Sequence, residues 1–333
     1  GGNITTASAD ISFAKGVTLS QGVSLSTGGG SKSGGNITFT ETVDATTAGT
    51  ETLALTAGTG DVTFTGVVGG TQRLGGVTIN QVAGTTISSA FSAASFNQPN
   101  GTAGTGTFLL NGDLDTNAGG ITISSATVDL NANVTTTAGY DTVNSTDQGL
   151  VIINAGSGGV DLADGKTITT TAVDAGTTSG KIDINSVGSV NLIGNLVTTG
   201  VAGDSTTGAG AIGGAVTIDT TDSAATITIS DINTTGGAAH KGSNANGGNA
   251  GTITLTTEAS STITLDDSTI TAAGGAEDGS GDQGAGANIT FANKVLLTTG
   301  SAVIDTGATG GSIAFNNTLN GAQALELTAG AGN

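Results

Sequence analysis

The chain has 333 residues, of which 59 are glycine, eight phenylalanine and one proline, with no cysteine, methionine or tryptophan. Its 26 acidic and 7 basic residues leave a formal charge of −19, which argues against nucleic acid and anionic membranes as partners, because phosphate binding requires clustered Lys and Arg. Gly, Thr, Ser, Asn and Asp outnumber the strong helix formers, so helix is nearly excluded, and no apolar run approaches the ~20 residues that cross a bilayer.

Short stretches of period two run the length of the chain. In order they are "NITFT" 36–40, "DVTFT" 61–65, "GVTIN" 76–80, "GITIS" 120–124 and "LVIIN" 150–154. "KIDIN" 181–185, "AVTID" 215–219, "TITLT" 252–256, "NITFA" 288–292 and "SIAFN" 312–316 follow. Aliphatic or Phe residues stand two apart with Thr, Asp or Ser between them, the pattern of a strand with one face inward. Glycine precedes nearly every one, and the expectation is that it supplies a corner with positive φ. Asn-Gly pairs at 100–101, 111–112 and 320–321 mark tight turns. The strict local period, with only 10% charged residues, points to order and not to disorder.

Spacing then gives an architecture. Ile218, Leu255 and Phe291 close equivalent strands, 37 and then 36 residues apart. Second strands, "TITIS" 226–230 and "TITLD" 262–266, recur within these units, and third strands, "DINTT" 231–235 and "STITA" 268–272, follow before a Gly-rich loop. Between Ile289 and Ile313 the unit shrinks to 24 residues because the loop is absent. The expected fold is all-β: a right-handed parallel β-helix, or β-solenoid, of about three strands per coil, with coils of variable length and Gly-rich loops. Residues 1–333 read as one such segment, and the proline-bearing stretch 97–105 reads as a loop between coils. Ile37, Phe39, Ile227, Ile229, Ile263, Leu265, Ile289 and Phe291 are the expected core.

The run "LTAGTGDVTFTG…GGTQRLGGVTIN…GTTISSAFSAASFNQ", 55–98, resembles the repeat arrays of large bacterial surface proteins of the filamentous-haemagglutinin-like type. That resemblance implies a right-handed parallel β-helix and export by a two-partner or autotransporter route. It also implies a place on the outer face of a Gram-negative bacterium, with a role in attachment or as an extracellular fibre. The implied partner is a host cell, a neighbouring cell or a matrix surface.

Residues that carry chemistry are few. His240, the single histidine, lies in the Gly-rich "GGAAHKGSNANGG" beside Lys241, and Tyr140, the single tyrosine, in "TTAGYDT". Asp266 and Asp267 are adjacent on an expected strand and so point to opposite faces, a poor acid–base pair. In "AEDGSGDQGAG" 276–286, Asp278, Ser280 and Asp282 stand at alternate positions, as at the start of a calcium loop, but glycine is missing at the sixth place and Glu at the twelfth. The stretch reads as a solvated acidic loop. Glycine clusters such as "STGGGSKSGG" 26–35 lack the Gly-Lys-Ser/Thr ending and the following helix of a phosphate cradle. Thr-x-Thr pairs at 38–40, 63–65, 226–228, 252–254 and 262–264 face outward; coils of unequal length would break them up as an ice-ordering face. No catalytic residue, metal ligand or cofactor is therefore assigned, and the reading is a stiff extracellular rod and not an enzyme; the alternatives, in order, are a calcium-stabilised adhesin module, an ice-binding solenoid and a polysaccharide-acting β-helix enzyme. "LELTAGAGN" 325–333 repeats the start of "LALTAGTGDVTF" 53–64, so the chain reads as a piece of a longer repeat whose ends favour contact with further coils or with another copy.

Overall fold

The computed structural model describes residues 2–28, 33–99, 106–137, 149–172 and 174–330. Among them it contains 30 strands and no helix, with 28 strands in one continuous sheet and parallel pairing throughout. The chain visits three ladders in rotation. The first opens with Ile4–Thr5, passes through Val23–Ser26 and Leu53–Thr56, and ends at Ile313–Phe315. The second runs from Ile11–Phe13 to Leu319–Asn320. The third runs from Val17–Leu19 to Ala324–Thr328, with Val68 alone bridging Val43 and Phe91. Each ladder has twelve rungs, and among the described residues none returns to its first strand.

Three separate strands per repeat hold near the ends but not in the middle. Phe91–Gln98, Ile121–Leu130, Val151–Leu162, Val190–Val197 and Ile227–Asn233 each serve two ladders. The second and third strands expected at 226–230 and 231–235 are thus one strand. Links between ladders there are so short that the backbone bends without breaking, with register shifts at Ser125/Thr127 and Leu192/Asn195. Repeat length also varies more widely than expected, from 19 residues between Val77 and its partner Phe96 to 38 between Ile232 and Ile270.

Alternation along each strand sends every second side chain into a single core. All eight residues expected there are buried, at 2% exposure or less. Because rungs are in register, like stacks on like. Phe13, Phe39 and Phe64 lie face to face, with ring centroids 5.1 and 5.0 Å apart. Phe91, Phe96 and Phe108 continue the contacts edge-on, and Phe291 stacks on Phe315. Aromatic contacts of this kind contribute about 0.5–1.5 kcal/mol beyond burial. One core layer is polar: Thr85 Oγ1 donates to Gln98 Oε1 at 2.8 Å, and Gln98 Nε2 donates to Ser124 O at 3.1 Å.

Glycine before a strand does not, in general, supply a positive φ. Gly149 and Gly311 do, at 73° and 79°, but Gly35, Gly60, Gly75, Gly180, Gly214 and Gly251 do not. Their constraint is proximity to the rung behind. A Cβ on Gly180 would overlap Gly149 O, one on Gly214 would overlap Gly180 O, and one on Gly251 would overlap Gly214 O. Buried threonines close the same corners. Thr170, Thr198 and Thr234 donate through Oγ1 to the carbonyls of Gly180, Gly214 and Gly251 at 2.5–2.6 Å. Outward, Asp and Asn side chains cap amides of the following repeat: Asp10 accepts from Asn36 N, Asn36 from Asp61 N, Asp113 from Asn133 N and Asn133 from Thr167 N.

Two substitutions test this packing. Ile263→Asp places an unpaired carboxylate in a core with no polar partner and is expected to cost several kcal/mol, read as an early urea transition; unchanged melting would refute the core assignment. Gln98→Leu alone leaves the Thr85 hydroxyl unpaired and is expected to cost about 1–3 kcal/mol. Adding Thr85→Val should recover most of that loss in the same measurement.

Candidate functional site

The links from the third ladder to the first are where the chain departs from bare ladders. Three of them, 198–214, 234–251 and 272–288, run outward and return as arms, and the arms stack into a fin. Within each arm the two legs bond to each other: Ala211 N donates to Val201 O, Gly248 N to Gly237 O and Gly284 N to Gly275 O, at 2.8–2.9 Å. Between arms the bonds recur every third residue. Gly200 and Gly203 donate to Thr235 O and Ala238 O, and Gly210 and Gly213 to Asn246 O and Asn249 O. Gly236 and Ala239 donate to Ala273 O and Ala276 O in turn. A three-residue recurrence is the period of polyproline II geometry, in which backbone groups point sideways to neighbouring segments.

Glycine permits this packing. A Cβ on Gly237 would overlap Val201 O, one on Gly248 would overlap Ala211 O, and one on Gly275 would overlap Gly237 O. Only Gly208, Gly242 and Gly279, at the three tips, have left-handed φ among the arms' described glycines. The arms are therefore ordered backbone-to-backbone layers and not loose loops.

The tips gather the charged residues that sequence reading treated separately. Asp204 accepts from the Thr207 and Thr206 amides at 2.8 and 2.9 Å, which hold its carboxyl below the ordinary value, and the His240 charge adds to this. His240 is tied to the first arm, its backbone N donating to Gly208 O at 2.7 Å. Asp278 Oδ2 accepts from Gly242 N at 2.7 Å and Asn244 N at 3.1 Å, so it bridges the third tip to the second. Ser280 N and Asp282 N donate to the side chains of Asn244 and Asn246. The alternating Asp278, Ser280 and Asp282 thus serve arm stacking, and among the described residues no three His, Asp or Glu side chains converge at metal-binding distance.

Asp266 and Asp267 lie just past the strand Thr262–Leu265 and not within it, Asp267 having a φ of 48°. Tyr140 lies outside the described residues. Elsewhere, Arg73 ties three rungs of the third ladder, donating to Ala93 O and Asp115 O and pairing with the Asp115 carboxylate. Burial raises the Asp129 carboxyl, with neighbouring Asp161 adding to it. Burial likewise raises Asp219, with Glu258 and Asp183 contributing. A shallow groove of about 280 Å³ runs outside the third ladder at the root of the fin, lined by Asn195, Asp231, Asn233, Thr269 and Thr271.

Sequence reading missed the fin. Its signal was present in the paired glycines at 236–237 and 274–275, which occupy equivalent places in successive arms. No family model, curated protein or solved structure matches the chain.

Gly248→Val is expected to separate the first arm from the second while leaving the ladders intact. Hydrogen exchange should show lost protection at the Gly200, Gly203, Gly210, Gly213 and Gly237 amides, which bond across the first and second arms, with strand amides unchanged. Because Asp278 is occupied by backbone amides, melting in millimolar calcium and in chelator should agree within a few degrees; a large upward shift with calcium would contradict this role.

Proposed function

We propose that the three ladders are the faces of a right-handed parallel β-solenoid serving as a stiff segment of an extracellular bacterial surface protein. The observation that supports this reading is the succession of parallel rungs along all three ladders, from Ile4 to Thr328. Right-handed crossover is the rule for parallel strands joined within one sheet. Twelve rungs at about 4.8 Å give a rod roughly 50 Å long. Such a body resists bending because each turn is bonded along its full perimeter to the turns on either side.

The role inferred is mechanical, with adhesion to a host cell, neighbouring cell or matrix surface through what the rod presents. The fin supports the adhesive half of the reading. Its tips carry Asp204, His240, Lys241, Glu277 and Asp278 away from a chain that is otherwise sparsely charged. The resemblance of 55–98 to filamentous-haemagglutinin-like repeats supports the surface location. Wild-type protein and a variant with the three tips shortened to Gly-Gly should be compared for binding to cells and matrix-coated surfaces. Small-angle scattering should give the same rod length for both. Lost binding at unchanged melting supports presentation by the fin; equal binding by both proteins would leave the spacer role alone.

A further inference from the structure

Two outward columns carry hydrogen bonds that pass from one rung to the next. On the first ladder Ser124, Asn154, Asn185 and Asp219 stand in register. Asn154 Nδ2 donates to Ser124 Oγ at 3.3 Å, and Asn185 Nδ2 donates to Asn154 Oδ1 at 3.4 Å and to Asp183 Oδ1 at 3.2 Å. Each rung gives a proton to the one before it. Asp219 occupies the next rung, where continuing the pattern requires a donor toward Asn185 Oδ1; an ionised carboxylate has none.

The second ladder repeats the arrangement. Asp129, Asp161 and Asn191 are in register there. Asn191 Nδ2 donates to Asp161 Oδ1 at 2.6 Å, and Asp161 then meets Asp129, a second carboxylate with nothing to donate. Among the described residues, the titratable groups acting on Asp219 are Glu258 and Asp183, and the one acting on Asp129 is Asp161. All are acidic.

We propose that these columns form an acid-sensitive clamp: a proton on Asp219 donates to Asn185 Oδ1, a proton on Asp129 donates to the Asp161 carboxylate beside it, and the stacked turns tighten in mild acid. The direction of both perturbed carboxyls agrees with this geometry. Each is raised from the ordinary 3.8 by burial first and by acidic neighbours second. In the window above that value the folded chain holds more protons than the unfolded chain. Stability therefore falls as pH rises through the window and is greatest at its acidic end.

Asparagine supplies the missing donor at every pH. Thermal unfolding should be followed from roughly pH 4 to 8 for the wild type, the double variant Asp129→Asn/Asp219→Asn, and Asp164→Asn, which removes a charge at an exposed turn. The wild type and Asp164→Asn should melt higher toward the acidic end with parallel slopes. The double variant should gain about 2–4 °C at neutral pH and show a flatter profile. A double variant that melts lower at neutral pH, or keeps the wild-type slope, overturns the clamp. Carbon-detected titration of the wild-type Asp129 and Asp219 carboxyls gives a readout independent of any variant's folding, and titration at the ordinary carboxylate value would equally overturn it.

Discussion

One contact recurs throughout the molecule: a backbone rung laid parallel and in register on the rung before it, about 4.8 Å away. Everything else follows from holding that spacing where the chain turns as well as where it runs straight. In the strands it produces columns of identical chemistry, so Phe13 meets Phe39 and Phe39 meets Phe64. At the corners it brings carbonyls to where a Cβ would be, and only glycine fits. Buried Thr hydroxyls then satisfy those carbonyls, which would otherwise be left dry at a cost of about 1–3 kcal/mol each. The composition that looked poor for a globular core is the composition this spacing selects.

The strand faces were legible in the sequence because a period of two is a local signal. Ile263 and Leu265 announce an inward face without reference to any other part of the chain. Features that depend on which turn lies above which were not legible. Gly180 and Gly214 look like turn residues when read alone; their constraint is the carbonyl of the rung behind, Gly149 O for the first and Gly180 O for the second. Asp204 and the second tip come together across arms, as do Asp278 and the amides of Gly242 and Asn244. Gln98 reads as a polar strand residue until Thr85 is placed beside it in the core. The merging of 226–230 with 231–235 is of the same type, since a bend or a break there depends on what the neighbouring rungs allow.

The two halves of the chain solve the same packing problem with different materials. Toward the N-terminal side, aromatic stacks fill the core and the described links between ladders are mostly brief. Toward the C-terminal side the core is mostly Ile, Val and Leu, with Phe291 stacked on Phe315, and layered glycine arms extend the stacking well beyond it. The fin has almost no side-chain core; backbone hydrogen bonds and close approach hold it. Its geometry is thus set by main chain, while its tips are free to vary in chemistry. The outward amide and carboxyl columns add a third layer of control, because they respond to protons where the core does not.

Most of the capping side chains along the ladders share a sense of direction. Asp10, Asn36, Asp113, Asn133, Asp231 and Asn288 each accept an amide from the repeat that follows them in the chain. A completed turn therefore presents waiting acceptors on its leading rim, spaced to receive the amides of the turn not yet laid down. A polypeptide delivered N-terminus first would meet at each step a rim already shaped like its own product. The stacked ladders are in this sense their own jig, and assembly in the reverse order would forgo those guides.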